Sequence, residues 1–172
     1  MSVTYLLPEA EDARAFGAAL AGVLSAGDVL VLTGDLGAGK TTLTQGLGEG
    51  LAVRGRVTSP TFTISRIHPA TAGGPDLVHV DAYRLSDLYD LETVDLESTM
   101  ATAITVIEWG EALIGELTDR RVQLTLERPE PAADPESGDD PAGGVRRARL
   151  DFYGGPWDES RIRGALAAFA ST

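Results

Sequence analysis

Residues 29–47 read VLVLTGDLGAGKTTLTQGL, and the change of rhythm inside this stretch decides which fold to expect. Val29 to Thr33 is a short, partly β-branched apolar run bounded by Gly27 and Gly34, the pattern of a strand buried on both faces. Leu43, Leu47 and Leu51 then recur every four residues, which predicts a helix beginning near Gly39 or Lys40. Between the two, Gly34, Gly39, Lys40 and Thr41 satisfy G-x-x-x-x-G-K-[ST] at the junction where that spacing has mechanical meaning. Glycines let the chain curl so that successive N–H groups of Asp35, Leu36, Gly37, Ala38 and Gly39 converge on a phosphate, with the helix N-terminus adding its partial positive charge. Lys40 would then reach the β and γ phosphates, and the Thr41 hydroxyl would ligate a bridging magnesium ion. Lys40 is the sole lysine in 172 residues, beside thirteen arginines. A compact ammonium fits such a cradle, and a planar guanidinium is no substitute for it.

Length and composition bound the rest. A chain of 172 residues that is 43% hydrophobic suits one domain with its own core, spanning residues 1–172. Its longest apolar runs fall well short of the roughly 20 residues needed to cross a bilayer, and no secretory leader is legible, so the expected location is cytoplasmic. The absence of cysteine excludes disulfides, thiolate metal sites and a cysteine nucleophile. Residues 128–144, RPEPAADPESGDDPAGG, hold five acids, one arginine and four prolines, so 128–145 is expected to be an acidic, flexible loop. Taking that net −4 from the total of −12 leaves −8 on the remainder, which repels a phosphate backbone. No direct binding of a nucleic acid is expected.

Strands and helices alternate along the chain. SVTYLL reads as an opening strand, and Pro8 with its following acids as the start of a helix striped by Ala13, Phe16, Leu20 and Val23. TFTISRI, LVHVDAY and AITVIE read as strands, RVQLTLE and VRRARLDFY as a strand pair, and GEALIGEL as a short helix. SDLYDLETVDLESTM reads as one or two short helices, and PWDESRIRGALAAFA as a closing helix with Ile162, Leu166 and Phe169 on one side. The expected class is α/β: a central, mostly parallel sheet flanked by helices, with antiparallel additions at the edge.

Acids should lie at the carboxyl ends of strands beside the glycine loop. Asp81 ends LVHVD and Glu108 ends AITVIE. Glu108, after the more continuous run, is assigned to magnesium, and Asp81 to the hydrolytic water, with the roles open to exchange. Thr61, in TSPTFT, could offer its hydroxyl or backbone to metal or phosphate, although an ordinary Ser-Pro turn accounts for the segment equally well. His79 is out of phase with Val78 and Val80 and reads as a hydrogen-bonded packing residue. Guanine-specific readers of this class use an N/T-K-x-D segment, which a chain with one lysine and no asparagine lacks, so ATP is the favoured nucleotide.

GDLGAGKTT, TSPTFT, HVDAYRL and VIEWGE, in this order and spacing, resemble the TsaE family of small P-loop ATPases, over about residues 5 to 153. The resemblance implies a single P-loop ATPase domain that hydrolyses ATP with Mg2+. It also implies association with the TsaB and TsaD proteins, which transfer threonylcarbamoyl to adenosine 37 of tRNA. By position it gives catalytic roles to Lys40, Asp81 and Glu108, metal roles to Thr41, Glu108 and Asp81, and adds Thr42 to the nucleotide site. It places Arg146 near the nucleotide, although GGVRRAR carries a valine that the family's G-R-x-x-R segment lacks. The long acidic loop also departs from the family's short hairpin. Two rivals use the same loop: a small-metabolite kinase, for which the acidic insertion makes a poor lid, and an ATP-binding regulatory module with negligible turnover.

Overall fold

The structure is a computed structural model that describes residues 1–60, 64–85, 96–110, 114–115, 118–128 and 145–170. Among these, seven strands form one sheet: β1 (Ser2–Leu7), β2 (Val29–Thr33), β3 (Ser65–His68), β4 (Leu77–Asp81), β5 (Ile104–Glu108), β6 (Arg121–Glu127) and β7 (Arg146–Tyr153). Their spatial order is β1-β7-β6-β2-β5-β4-β3. The four central strands, β6, β2, β5 and β4, run parallel, while β7 and β1 at one edge and β3 at the other are antiparallel. This is the expected α/β class. Two-sided burial explains the unbroken apolar runs: all but the last residue of β2, and every residue of β4 and β5, is buried.

Helices α1 (Ala10–Leu20), α2 (Lys40–Gly50), α3 (Leu96–Met100) and α4 (Glu159–Ala165) complete the described elements, with 3-10 turns at Ala82–Arg84 and Ala167–Phe169. The Asp12 carboxylate accepts the Glu9 backbone N–H at 2.8 Å, satisfying a donor at the start of α1. One face of the sheet carries Leu30, Leu32, Leu77, Ile104, Val106 and Leu124 in a core shared with Phe16, Leu20, Leu43 and Leu47 of α1 and α2. The other face packs Val29, Val31, Val78, Val80 and Ile107 with Leu96 of α3 and Ile114. Each such side chain withdrawn from water contributes about 1.5–3 kcal/mol.

Helices α1 and α2 meet almost backbone to backbone. A Cβ at Gly46 would lie 1.8 Å from the Arg14 carbonyl oxygen, and one at Gly17 2.0 Å from that of Leu43. The glycines lower the strength of α2 as an isolated helix and seat it deep on the sheet.

Three boundaries differ from the sequence reading. β3 starts only at Ser65, because Ile64 sits at φ +65°, a conformation no strand continues through. β4 ends at Asp81, whose carboxylate accepts the Tyr83 N–H and turns the chain into a 3-10 turn. The closing helix stops at Ala165, and its Phe169 is delivered by the following turn, edge-on to Phe16 with ring centroids 5.0 Å apart. The GEALIGEL helix falls partly outside the described residues, with Ile114–Gly115 helical. SDLYDLETVDLESTM is described only from residue 96, and 129–144 of the acidic loop lies outside.

Candidate functional site

The site is built at the carboxyl ends of β2, β4 and β5. As β2 leaves the sheet at Thr33, Gly34 takes φ +142°, and an added Cβ would meet the Leu126 carbonyl oxygen at 2.4 Å. Gly39, at φ +111°, hands the loop over to α2, whose first residue is Lys40. Both positions require glycine, for different reasons: close approach at the first and a left-handed turn at the second.

Lys40 is 6% exposed, and its Nζ donates to the carbonyls of Gly34 at 2.6 Å and Asp35 at 3.1 Å. It also lies 4.0 Å from the centroid of the Trp109 ring, a cation–π contact. The ammonium is thus folded over its own loop. Arg146, at the start of β7, also reaches the loop, buried, with Nε donating to the Ala38 carbonyl at 3.1 Å. Burial first, and nearby Arg128 second, lower its pKa from the ordinary arginine value. A cation held in that state gains from an approaching anion.

Asp81 and Glu108 are direct register partners on the parallel strands β4 and β5, both buried. One Asp81 oxygen accepts the Tyr83 N–H at 3.0 Å, and one Glu108 oxygen lies 2.8 Å from His79 Nε2. Between these acids and the glycine loop lies a cavity of about 630 Å³, lined by Gly37, Gly39, Lys40, Thr41, Thr42, Ser59, Asp81, Glu108 and Trp109, with Leu36 and Tyr83 at the rim. A second cavity, of about 490 Å³, opens on the other side of the loop. It is lined by Thr33, Gly34, Asp35, Thr125, Leu126, Glu127, Arg128 and Arg147, and the Thr33 and Thr125 hydroxyls are buried there with no hydrogen-bond partner.

The structure therefore gathers Leu36, Gly37, Gly39, Lys40, Thr41, Thr42, Asp81 and Glu108 around one cavity, puts Asp35 at the second and Ala38 on the Arg146 contact. Thr61 lies outside the described residues. Sequence reasoning missed the second cavity and the strain at Trp109, which sits at φ +63° immediately after Glu108. Thr33 ends β2 and its register partner Thr125 lies inside β6, a pairing with no sequence signal, and nothing in the sequence shows that their hydroxyls are left without partners.

A glycine loop capping β2, a lysine at the next helix start and an acid at the end of the adjacent parallel strand define the P-loop class of α/β proteins. Within that class the comparisons are specific. The family model "Threonylcarbamoyl adenosine biosynthesis protein TsaE" matches residues 7–134, and the chain belongs to the TsaE family of tRNA threonylcarbamoyladenosine biosynthesis proteins. The TsaE protein of Streptomyces coelicolor is 56% identical over 116 residues, covering 67% of this chain and 78% of that one. That of Mycobacterium tuberculosis H37Rv is 45% identical over 132 residues, covering 73% and 79%. The crystal structure of Bacillus subtilis YdiB superposes with a TM-score of 0.70 at 28% identity, covering 98% of this chain and 96% of that chain. None of the described helices is long and apolar enough to cross a membrane.

Proposed function

We propose that this chain is a magnesium-dependent ATPase that supports threonylcarbamoyl transfer to adenosine 37 of tRNA by binding and cycling the TsaB–TsaD pair. The observation that carries the reading is Lys40, buried at the mouth of a glycine cradle whose cavity is walled on its far side by two carboxylates on adjacent strand ends. Such a cavity matches the charge pattern of a nucleoside triphosphate with its metal, cationic on one wall and anionic on the other.

On binding, the Lys40 ammonium would exchange the Gly34 and Asp35 carbonyls for phosphate oxygens, and the N–H groups of residues 37 to 42 would surround the same phosphates. Thr41 and one of the two carboxylates, Glu108 or in exchange Asp81, would hold magnesium. No group of three or more acids or histidines able to hold a metal occurs among the described residues, which suits an ion that keeps water and takes phosphate oxygens as ligands. When bound, magnesium neutralises charge on the phosphates. The carboxylate not bound to metal would orient the attacking water and accept its proton. The nucleoside would extend past Gly34 and Asp35 into the second cavity, whose lining includes Thr33 and Thr125. Arg146 would steady the loop through Ala38 and add positive charge behind it. With a net charge of −12, the chain is better suited to acting on a protein partner than to holding tRNA itself.

The test follows phosphate release with and without purified TsaB–TsaD, for the wild type and for Lys40→Ala. Partner-stimulated hydrolysis that Lys40→Ala abolishes is expected, with nucleotide affinity lowered about 10–100-fold by loss of charge-assisted bonds. Phosphate appearing on a small acceptor would point to a kinase, and tight ATP binding without turnover in either condition to a regulatory module.

A further inference from the structure

We propose that His79 is a positioning residue for Glu108, fixing that carboxylate so that its second oxygen meets the metal; the inference rests on the nucleotide-site reading above. His79 occupies the middle of β4, fully buried. Val78 and Val80 face the opposite side of the sheet, so His79 shares its face with Leu77 and Asp81. In the register Glu108 stands beside Asp81, and His79 beside Val106, one pleat repeat further back. The 2.8 Å bond from His79 Nε2 to Glu108 Oε1 therefore runs diagonally and draws one carboxylate oxygen back into the sheet. Because a carboxylate oxygen accepts, Nε2 carries the hydrogen. Nδ1 is buried with no hydrogen-bond partner.

The fold does not ask for histidine here. Leu77, two residues earlier on the same face, shows that an apolar side chain fits the neighbouring position, whereas the imidazole leaves a polar atom unsatisfied. What histidine adds is an N–H aimed at a buried carboxylate. Without it, Glu108 would face the sheet interior with an unsatisfied oxygen and would rotate away to satisfy it, and a metal ligand is lost. Asp81 needs no such help, since the backbone N–H of Tyr83 already ties one of its oxygens. Each acid thus has one oxygen anchored and one to offer, through two unrelated devices.

The experiment measures Mn2+ affinity by electron paramagnetic resonance on the full chain loaded with a non-hydrolysable ATP analogue, alongside analogue affinity in EDTA and thermal melting. His79→Asn, too short to reach Glu108, is expected to weaken Mn2+ binding about 10–100-fold with metal-free analogue affinity unchanged. His79→Gln, whose amide nitrogen can take the place of Nε2, should stay close to wild type. In a Glu108→Gln background, His79→Asn should weaken Mn2+ binding no further, an outcome a purely structural role does not give. That double variant also decides the matter should either single change lower the melting temperature. Unchanged Mn2+ affinity in His79→Asn, or an additional loss in the Glu108→Gln background, overturns the inference alone. A wild-type chain that binds the analogue but no Mn2+ overturns the metal-site reading and this inference with it.

Discussion

Gly46→Ala puts helix propensity and packing in direct opposition. In an isolated helix the change would stabilise by about 1 kcal/mol. Here the new Cβ would sit 1.8 Å from the Arg14 carbonyl oxygen, itself fixed within α1. Ordinary contact requires about 3.5 Å, so the helices must part by roughly 1.5 Å, and a gap of even 0.5–1 Å already forfeits a quarter to a half of the dispersion attraction across it. The contacts at stake are those of Phe16 and Leu20 with Leu43 and Leu47. Overpacking costs about 1–3 kcal/mol, and a clash with backbone belongs at the upper end, so the expected net loss is about 2 kcal/mol. For a chain of this length that lowers Tm by about 4–8 °C. Because α2 begins at Lys40, nucleotide affinity should fall as well. The internal control is Gly164→Ala in α4, where an added Cβ meets nothing within 4 Å and the same chemical change should raise Tm. Thermal melts of both variants decide the matter: Gly46→Ala melting at or above the wild type would refute the packing argument.

Glu108→Gln should reduce phosphate release by about 100-fold or more while leaving ATP affinity in EDTA near wild type; equal losses in both would make Glu108 a structural residue. Thr125→Val should weaken ATP about 2–10-fold and leave inorganic tripolyphosphate binding unchanged, as titration calorimetry would report. Equal effects on both ligands would move the base out of the second cavity. Burial first, then the neighbouring His79 and Arg66 side chains, depress the His68 pKa below its usual 6.5. As pH falls below about 6.5 the unfolded chain takes up the proton first, so stability present at neutral pH is lost toward the lower folded-state pKa. Urea denaturation from pH 7 to pH 5 should show a shallower acid slope for His68→Gln than for wild type, and identical slopes would count against the assignment.

The central strand, the glycine loop and α2 were legible because each rests on a short-range regularity: apolar continuity in Val29 to Leu32, four-residue recurrence in Leu43 and Leu47, and glycines at fixed offsets. Asp81 and Glu108 were legible as strand ends, and their side-by-side register followed from pairing two such ends. What stayed hidden depends on contacts between distant segments. His79 was readable as a hydrogen-bonded histidine, but its partner lies 29 residues away and is fixed only by the sheet. The left-handed Ile64 has no local signal, since β-branched residues favour the strand that TFTISRI suggests. Arg146 met its loop partner, Ala38, across 108 residues, a contact that rests on where the sheet order places β7, between β1 and β6.

The two banks of the cleft are built with unequal stiffness. On one side, main chain touches main chain at Gly34 and again where α1 meets α2, so that bank has almost no room to yield. On the other, Ile64 and Trp109 sit at φ +65° and +63°, Ile64 held by main-chain bonds from its N–H to the Pro60 carbonyl and from Asp81 N–H to its carbonyl, Trp109 by one from its N–H to the Leu32 carbonyl. Energy stored in those two turns is released only by movement of that bank. News of what the cleft holds would therefore leave the molecule by way of Tyr83 and Trp109, whose rings already touch at the surface, while the glycine side acts as a fixed anvil.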